Sequence, residues 1–368
     1  MSGSDEAASR RGGAIPAKKR RHINIPVFIP HLGCPNDCVF CNQRAISGHM
    51  TFEMSDAVRD IDTAIAALPP DADAEIAFFG GSFTGIDRSL MTGLLDIAES
   101  KVRAGYVSSI RLSTRPDYID AEIIAILRRY SVKTIELGIQ SMNDTVLAAS
   151  KRGHTSAQSE IACSLVLDGG FSLVGQMMVG LPLSTSDDEI ETAKRICSMG
   201  ACGARIYPTV VLCHTALADM SAAGSYAPLT PEEGARRASL PLEVFADHGV
   251  EVLRVGLCAT DTLSGGGDVL GGAYHPALGE MAAGELYLRR IRSAVGEYCR
   301  NGLSGDIAGA LKGKTLTVFC APGETSKVSG QHKCVKTALM REYNVKKVKV
   351  IEKNDICEYN ISITISDG

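Results

Sequence analysis

His31 to Gly48 reads HLGCPNDCVFCNQRAISG and sets Cys34, Cys38 and Cys41 in a CxxxCxxC spacing. The stretch follows the apolar run INIPVFIP and carries Gly33 and Pro35, so three thiolates share one loop on which they can curl around a single inorganic centre. Three thiols cannot pair among themselves without leaving one over. Tetrahedral zinc would need a fourth ligand, and no Cys or His nearby completes a finger spacing. The chemistry that fits is a 4Fe-4S cluster in which Cys34, Cys38 and Cys41 each hold one iron. The fourth iron then stays open to a small molecule that can accept an electron.

This motif resembles that of the radical SAM superfamily, which places an aromatic residue just before the last Cys, here Phe40. The resemblance implies that S-adenosylmethionine chelates the open iron through its amino and carboxylate groups. It also implies that the reduced cluster cleaves that cofactor to a 5'-deoxyadenosyl radical. The cofactors carry the hard chemistry, and the protein supplies position and exclusion of water. An external electron donor such as flavodoxin or ferredoxin is implied with them.

Around the motif, short β-branched or aromatic runs alternate with longer helical periods, the signature of a parallel α/β domain. The runs predict six strands: Ile23 to Ile29, Glu75 to Phe79, Ser109 to Ser113, Lys133 to Gly138, Phe171 to Val179 and Ala204 to Leu212. Between them Ser55 to Leu68, Leu90 to Val102, Asp120 to Arg129, Ser156 to Leu167 and Asp187 to Met199 are long enough for crossover helices. Six such units fit the partial (β/α)6 barrel of the resembled superfamily, where chemistry sits on loops at the C-terminal ends of strands. The cysteine loop follows the first strand. The expected division is a basic tail over 1–21, a core barrel over 22–215, a barrel-closing extension over 216–305 and a small basic module over 306–368.

The loops after these strands carry the remaining candidates. FFGGSFTG ends the second strand, and paired glycines let backbone approach a ligand and leave carbonyls free to accept from an ammonium. By the resemblance Gly80, Gly81 and Ser82 stand where a GGE-type motif holds the amino group of SAM, with Ser in place of Glu. LSTRPDYI ends the third strand, with Ser113 and Arg115 suited to a carboxylate or ribose. Glu136 and Gln140 interrupt the apolar run ELGIQS, where an unpaired polar group is costly, so a ligand partner is expected. LAASKRGHT supplies Arg152 and His154, and GQMMVGLP, which ends in Val179 to Pro182, resembles the strand against which the adenine lies. ELGIQS, KRGH and GLP recur in this order both in the elongator catalytic-subunit family and in relatives of oxygen-independent coproporphyrinogen oxidase. That likeness implies SAM contacts from Gln140, Arg152 and Val179. ARIYPTVVLCHTALADM, with the cysteine stretch, is similar to the bacterial elongator-type group, although Cys213 and His214 depart from its usual pattern. Tyr207 in that segment and His275 in GAYHPALGE are the candidate substrate-side catalytic residues.

From Leu311 the order strand, short helix, loop, helix, strand, then a last strand YNISITI, resembles a KH fold. VSGQHKCVKTAL overlays its phosphate-approaching GxxG loop, with Gly330 present and Lys333 in place of the second Gly. Residues 312–353 hold ten Lys or Arg against three Glu, and Arg10, Arg11, Lys18, Lys19, Arg20 and Arg21 make the N-terminus basic. On a chain of net charge -4, basic ends predict that a polyanion approaches the termini. No apolar run approaches a membrane span and the first 21 residues lack a signal-peptide core, while twelve Cys argue for a reducing, cytoplasmic setting. The sequence therefore predicts an elongator-like radical SAM enzyme that modifies RNA, in particular a tRNA base. The 368 residues end before any acetyltransferase domain, so a separate transferase is an expected partner. The alternatives are a radical SAM enzyme acting on a small molecule or tetrapyrrole, and a non-catalytic protein that binds a cluster and RNA.

Overall fold

The computed structural model describes residues 21–29, 38–42, 52–257, 268–302 and 307–367. Strand β1 (Arg21–Ile29), helix α1 (Met54–Ala66), β2 (Ala72–Gly80), α2 (Arg88–Arg103), β3 (Ser109–Thr114), α3 (Ala121–Leu127) and β4 (Val132–Gln140) open the chain. Short helix α4 (Asp144–Ala149), α5 (Ser156–Asp168), β5 (Ser172–Val179), α6 (Ser186–Ser198) and β6 (Gly203–Pro208) continue the alternation. The helices start where side chains supply the missing acceptors. Asp87 and Asp120 cap α2 and α3, and capping boxes pair Thr155 with Gln158 and Thr185 with Asp188.

β1 to β6 pair in order, all parallel, and form a curled half-barrel. Its convex side is dry. Ile76 and Phe78 of β2, Ile110 and Leu112 of β3, Ile135 and Leu137 of β4 and Ile206 of β6 are fully buried in one continuous core with residues of α1, α2, α3, α5 and α6. Full burial of each such side chain contributes about 1.5–3 kcal/mol. Successive strand residues face opposite sides, so the intervening positions line the concave side, and there the sequence is polar.

The structure departs from the six-strand expectation in two places. First, the run from Ala204 to Leu212 is not one strand. It breaks at Thr209, whose backbone N–H (2.9 Å) and hydroxyl (2.9 Å) both donate to the Val179 carbonyl. The following β7 (Val210–Leu212) pairs antiparallel with β9 (Val269–Gly272). Gly272 closes this ribbon at φ 98°, where a Cβ would lie 2.8 Å from the Thr209 carbonyl oxygen, so only glycine fits. Second, after α7 (Ala216–Ala222) and α8 (Pro231–Asp247), strand β8 (Glu251–Val255) adds to β6 in parallel. The segment expected only to close the barrel thus supplies its seventh strand.

The long helix α9 (Leu278–Gly302) belongs to two cores. Ala282, Ala283 and Leu286 join the barrel core, whereas Tyr287, Ile291 and Val295 join that of the C-terminal module. The module follows as α10 (Ile307–Leu311), β10 (Thr315–Cys320), α11 (Thr325–Ser329), α12 (Cys334–Tyr343), β11 (Lys347–Glu352) and β12 (Ile361–Ser366). Its sheet runs β11-β10-β12, with β11 parallel and β12 antiparallel to the central strand. Tyr287 ties it to α9: its hydroxyl donates to Glu324 at 2.9 Å and accepts the Tyr359 N–H at 3.0 Å. The loop expected to be GxxG-like has His332 (φ 51°) and Lys333 (φ 64°) in left-handed backbone, the conformation a second glycine would adopt without strain.

Candidate cofactor and substrate site

Cys38 and Cys41 sit on one turn, closed by the Cys41 N–H donating to the Cys38 carbonyl at 2.9 Å. Cys34, the third expected ligand, lies outside the described residues. The turn is anchored from two directions. Val39 donates its N–H to the Ser150 carbonyl (3.1 Å) and accepts from the Leu217 N–H (2.7 Å), while Asn42 Nδ2 donates to the Cys213 carbonyl (3.0 Å). Val39 packs with Val211, Leu217 and Tyr226, and Phe40 bridges that cluster to Val146, Met178, Leu181 and Tyr207. The aromatic before the last cysteine therefore wedges the turn against the mouth of β5 and β6.

Two guanidiniums converge on the buried Cys38 sulfur, Arg152 Nη1 at 3.5 Å and Arg115 Nη1 at 3.8 Å. Neither is a surface residue, being 8% and 2% exposed. Arg152 also donates through Nη2 to the Gly138 carbonyl at 2.8 Å, where a Cβ on Gly138 would lie 2.6 Å from that nitrogen. Arg115 grips Asp117 in a bidentate pair, 2.9 Å in both arms, and donates to the Arg152 carbonyl. These are hydrogen-bond donors placed around a sulfur that the sequence assigns as a metal ligand. Four buried side-chain atoms have no partner among the described residues: Gln140 Oε1, Ser150 Oγ, Arg152 Nε and His154 Nδ1. They lie at the end of β4 and along Ser150 to His154, the segment around Cys38. Buried polar atoms are seldom orphaned, so they mark a place where something polar belongs.

Burial and the charge of Arg152 push the His154 imidazole down to about 4, against the pull of Asp117. Folding thus selects the neutral ring, while the unfolded chain protonates near pH 6.5. Stability is full above pH 6.5 and is lost as pH falls toward 4, by about 3 kcal/mol at the lower end. Urea unfolding from pH 7 to 4 is expected to show this slope in the native chain and a flatter one in His154→Gln. Equal slopes contradict the assignment.

Deeper in the concave face runs a ladder of buried charge. Glu75 accepts from Arg111 Nε (2.6 Å), and Arg111 Nη1 reaches Glu136 (2.9 Å). Glu136 also accepts from Arg205 through Nε (2.7 Å) and Nη2 (3.0 Å) and from Gln176 (2.8 Å). Burial alone would raise the Glu136 carboxyl, but Arg205, Gln176 and Arg111 outweigh it and hold it below its ordinary range. The ligand expected for Glu136 is thereby replaced by protein partners. Gln140 is different: its backbone turns to φ 67° at the end of β4 and its carbonyl oxygen atom Oε1 is unmet.

The other candidates divide in the same way. Gly80 stands at φ 104° with its would-be Cβ 2.5 Å from the Ile29 carbonyl oxygen, and Gly81 donates to that oxygen at 2.9 Å, so the pair locks β2 to the strand that leads into the cysteine loop. Ser82 is buried beside them, and Ser113 lies half-buried on the concave face, one position on from Arg111 in the alternation. Tyr207 reaches the Phe40 cluster. Val179 does not face the concave side: its side chain is in the barrel core and its carbonyl is taken by Thr209, and Met178 occupies the facing position instead. His275 has a local structural task, accepting the Ala277 N–H on Nδ1 at 3.0 Å to begin α9, and no described contact brings it to the cysteine turn. Sequence reasoning missed Gln176, Met178 and Arg205, which the period-two alternation from Tyr207 and Val174 would have put on the inner face.

The chain belongs to the radical SAM superfamily: the superfamily model matches residues 28–196 and the Radical_SAM C-terminal domain model matches 202–290. Within it the chain falls in the elongator-like group. Elongator complex protein 3 of Homo sapiens is 30% identical over 127 residues, 34% of this chain and 23% of that protein. A tRNA uridine(34) acetyltransferase of Methanocaldococcus jannaschii is 30% identical over 125 residues, 33% of this chain and 23% of that enzyme. The match thus spans about a quarter of the length of these two relatives. Among solved structures, Elp3 of the archaeon Methanocaldococcus infernus superposes with a TM-score of 0.58 at 20% identity, covering 77% of this chain and 68% of that one. The chain is an enzyme, and its cofactors are those of the superfamily, a 4Fe-4S cluster and SAM. The residues present fit both, with two thiols on one turn under two guanidiniums and orphaned polar atoms beside them. No helix among the described residues is long and apolar enough to cross a membrane.

Proposed function

We propose that this enzyme modifies a base of tRNA. The reading rests on the 30% identity to a tRNA uridine(34) acetyltransferase. The mouth of the half-barrel is consistent with it, with Tyr207 and Met178 beside the cysteine turn and a charged floor beneath them. The cluster and SAM, when bound, supply a 5'-deoxyadenosyl radical. Cys38 and Cys41, with Cys34, hold the cluster. Arg152 and Gln140 receive the polar groups of SAM, with Ser113 on the neighbouring strand. The Gly80–Gly81–Ser82 turn approaches its amino group through backbone. Tyr207 borders the substrate side. An external one-electron donor is the partner this reading asks for.

Total tRNA from cells with and without the gene tests it. The expected result is loss of one modified nucleoside. An unchanged nucleoside profile, in a strain where the purified enzyme still forms 5'-deoxyadenosine anaerobically, overturns the RNA substrate and leaves the radical chemistry.

A further inference from the structure

The C-terminal sheet has one face packed on helices and an opposite face whose two outer strands are exposed, with Thr315 and Thr317 of the central strand buried between them. Leu316, Val318 and Cys320 of β10, Val348 and Val350 of β11, and Ile361, Ile363 and Ile365 of β12 turn toward α9, α11 and α12 and form the module's core. The opposite positions fall into three cross-strand rows: Lys347, Thr315 and Ser366; Lys349, Thr317 and Thr364; Ile351, Phe319 and Ser362. None of these nine is acidic. Lys353, just past β11, lies over the Phe319 ring at 3.9 Å from its centre. Glu352 accepts from Thr325 on the helical side and Glu358 pairs with Lys327, while Asp355 and Asp367 follow β11 and β12, outside the three rows.

We infer that this second face binds single-stranded RNA. The inference rests on the proposed RNA substrate and deepens it by adding a second contact surface, outside the half-barrel. Lys347 and Lys349 are exposed at alternate positions of one edge strand, about 6.6 Å apart, and exposed Lys353 continues the same side past the end of that strand. That spacing suits successive phosphates of an extended strand. Beside them runs a partly exposed aromatic ring, and beyond it a row of Ser and Thr hydroxyls that can exchange hydrogen bonds with base edges and 2'-hydroxyls. Cationic tracking along the backbone with an aromatic platform for bases is how proteins hold single strands without sequence preference. Lys353 caps the ring through a flexible side chain and can swing aside to a phosphate when a base stacks. An acidic protein segment would use the lysines but leave the ring and hydroxyl rows without a task. An anionic membrane would need more apolar surface than Phe319 and Ile351 offer.

The test uses the full chain and a fluorescein-labelled 12-residue oligouridylate, read by anisotropy across a salt series. Lys347→Ala/Lys349→Ala is expected to bind about tenfold more weakly near 0.15 M salt, with a log–log salt slope shallower by about 1.4. Phe319→Leu keeps volume but removes the stacking face, and is expected to weaken binding about tenfold with the slope unchanged. Circular dichroism of each variant verifies that the sheet is intact. Binding by the native chain with both variants at native affinity overturns the sheet site while the tRNA substrate stands. Full competition by polyglutamate or phosphatidylserine vesicles, with Phe319→Leu unaffected, shows a plain polyanion patch and also overturns it. Weakened binding in both variants, together with an unchanged tRNA nucleoside profile on gene deletion, supports the sheet site and overturns the substrate.

Discussion

Glu136→Ala is expected to lower the free energy of unfolding by about 3–5 kcal/mol, the range for removing one partner of a buried ion pair. Glu136 is fully buried and is the hub of the ladder, meeting Arg111 on one side and Arg205 and Gln176 on the other. Arg111 keeps Glu75 at 2.6 Å when Glu136 is removed, so the carboxylate is lost chiefly to Arg205, which is about one-tenth exposed and lies 5.6 Å from the Phe79 ring on the concave face. A pair of surface ions would be worth less than about 1 kcal/mol, because water replaces the lost partner. Here water has poor access, so solvent does not replace the buried carboxylate. Glu136→Gln retains the shape and part of the hydrogen bonding and should lose less, whereas Glu136→Ala with Arg205→Leu should recover stability relative to the single variant. Urea unfolding at pH 7 measures all three. A loss below about 1 kcal/mol for Glu136→Ala would mean that the ladder is solvated, and the account of the concave floor would fail.

That ladder also shows where sequence reading stopped. The runs from Glu75, Ser109, Lys133 and Phe171 were legible as strands because a parallel strand with a helix on its convex side carries an unbroken apolar set at alternate positions. The helices between them declared themselves by caps such as Thr155 with Gln158 and Thr185 with Asp188. The partners of Glu136 lie 25, 40 and 69 residues away in the chain, and only the register of four neighbouring strands brings them together. A buried carboxylate therefore reads, one-dimensionally, like a ligand site. The same limit explains β8, whose membership of the sheet depends on which edge is left open, and Thr209, where two hydrogen bonds to Val179 end a run that is apolar throughout. For His275 the residue type suggested chemistry, but its ring nitrogen is occupied by the first turn of α9. The cysteine turn was legible because its information is local: three thiols in eight residues state their use without any partner from elsewhere.

Cys38→Ala is expected to abolish cluster assembly, reducing iron from about four per chain to near zero after anaerobic reconstitution, since a cluster held by three thiolates does not survive the loss of one. Not every buried cysteine should matter, and the contrast with Cys163 makes the prediction specific. Cys163 is buried in apolar surroundings that push its thiol up to about 12, so it stays protonated and poor as a ligand. Cys38 is also buried, but its sulfur is met by N–H groups of Arg152 and Arg115 at 3.5 and 3.8 Å rather than by apolar side chains alone. Cys163→Ala should therefore retain the native iron and sulfide content, with at most a modest loss of stability from the small cavity. Arg115→Leu is the more searching variant: it removes one donor to sulfur and releases Asp117, but leaves every thiol in place. Iron uptake should persist in it while the reduction potential of the cluster falls, because one fewer hydrogen bond stabilises the more negative reduced state. Native iron content in Cys38→Ala would show that the metal is held elsewhere, and an Arg115→Leu potential equal to that of the native chain would show that this guanidinium serves packing alone.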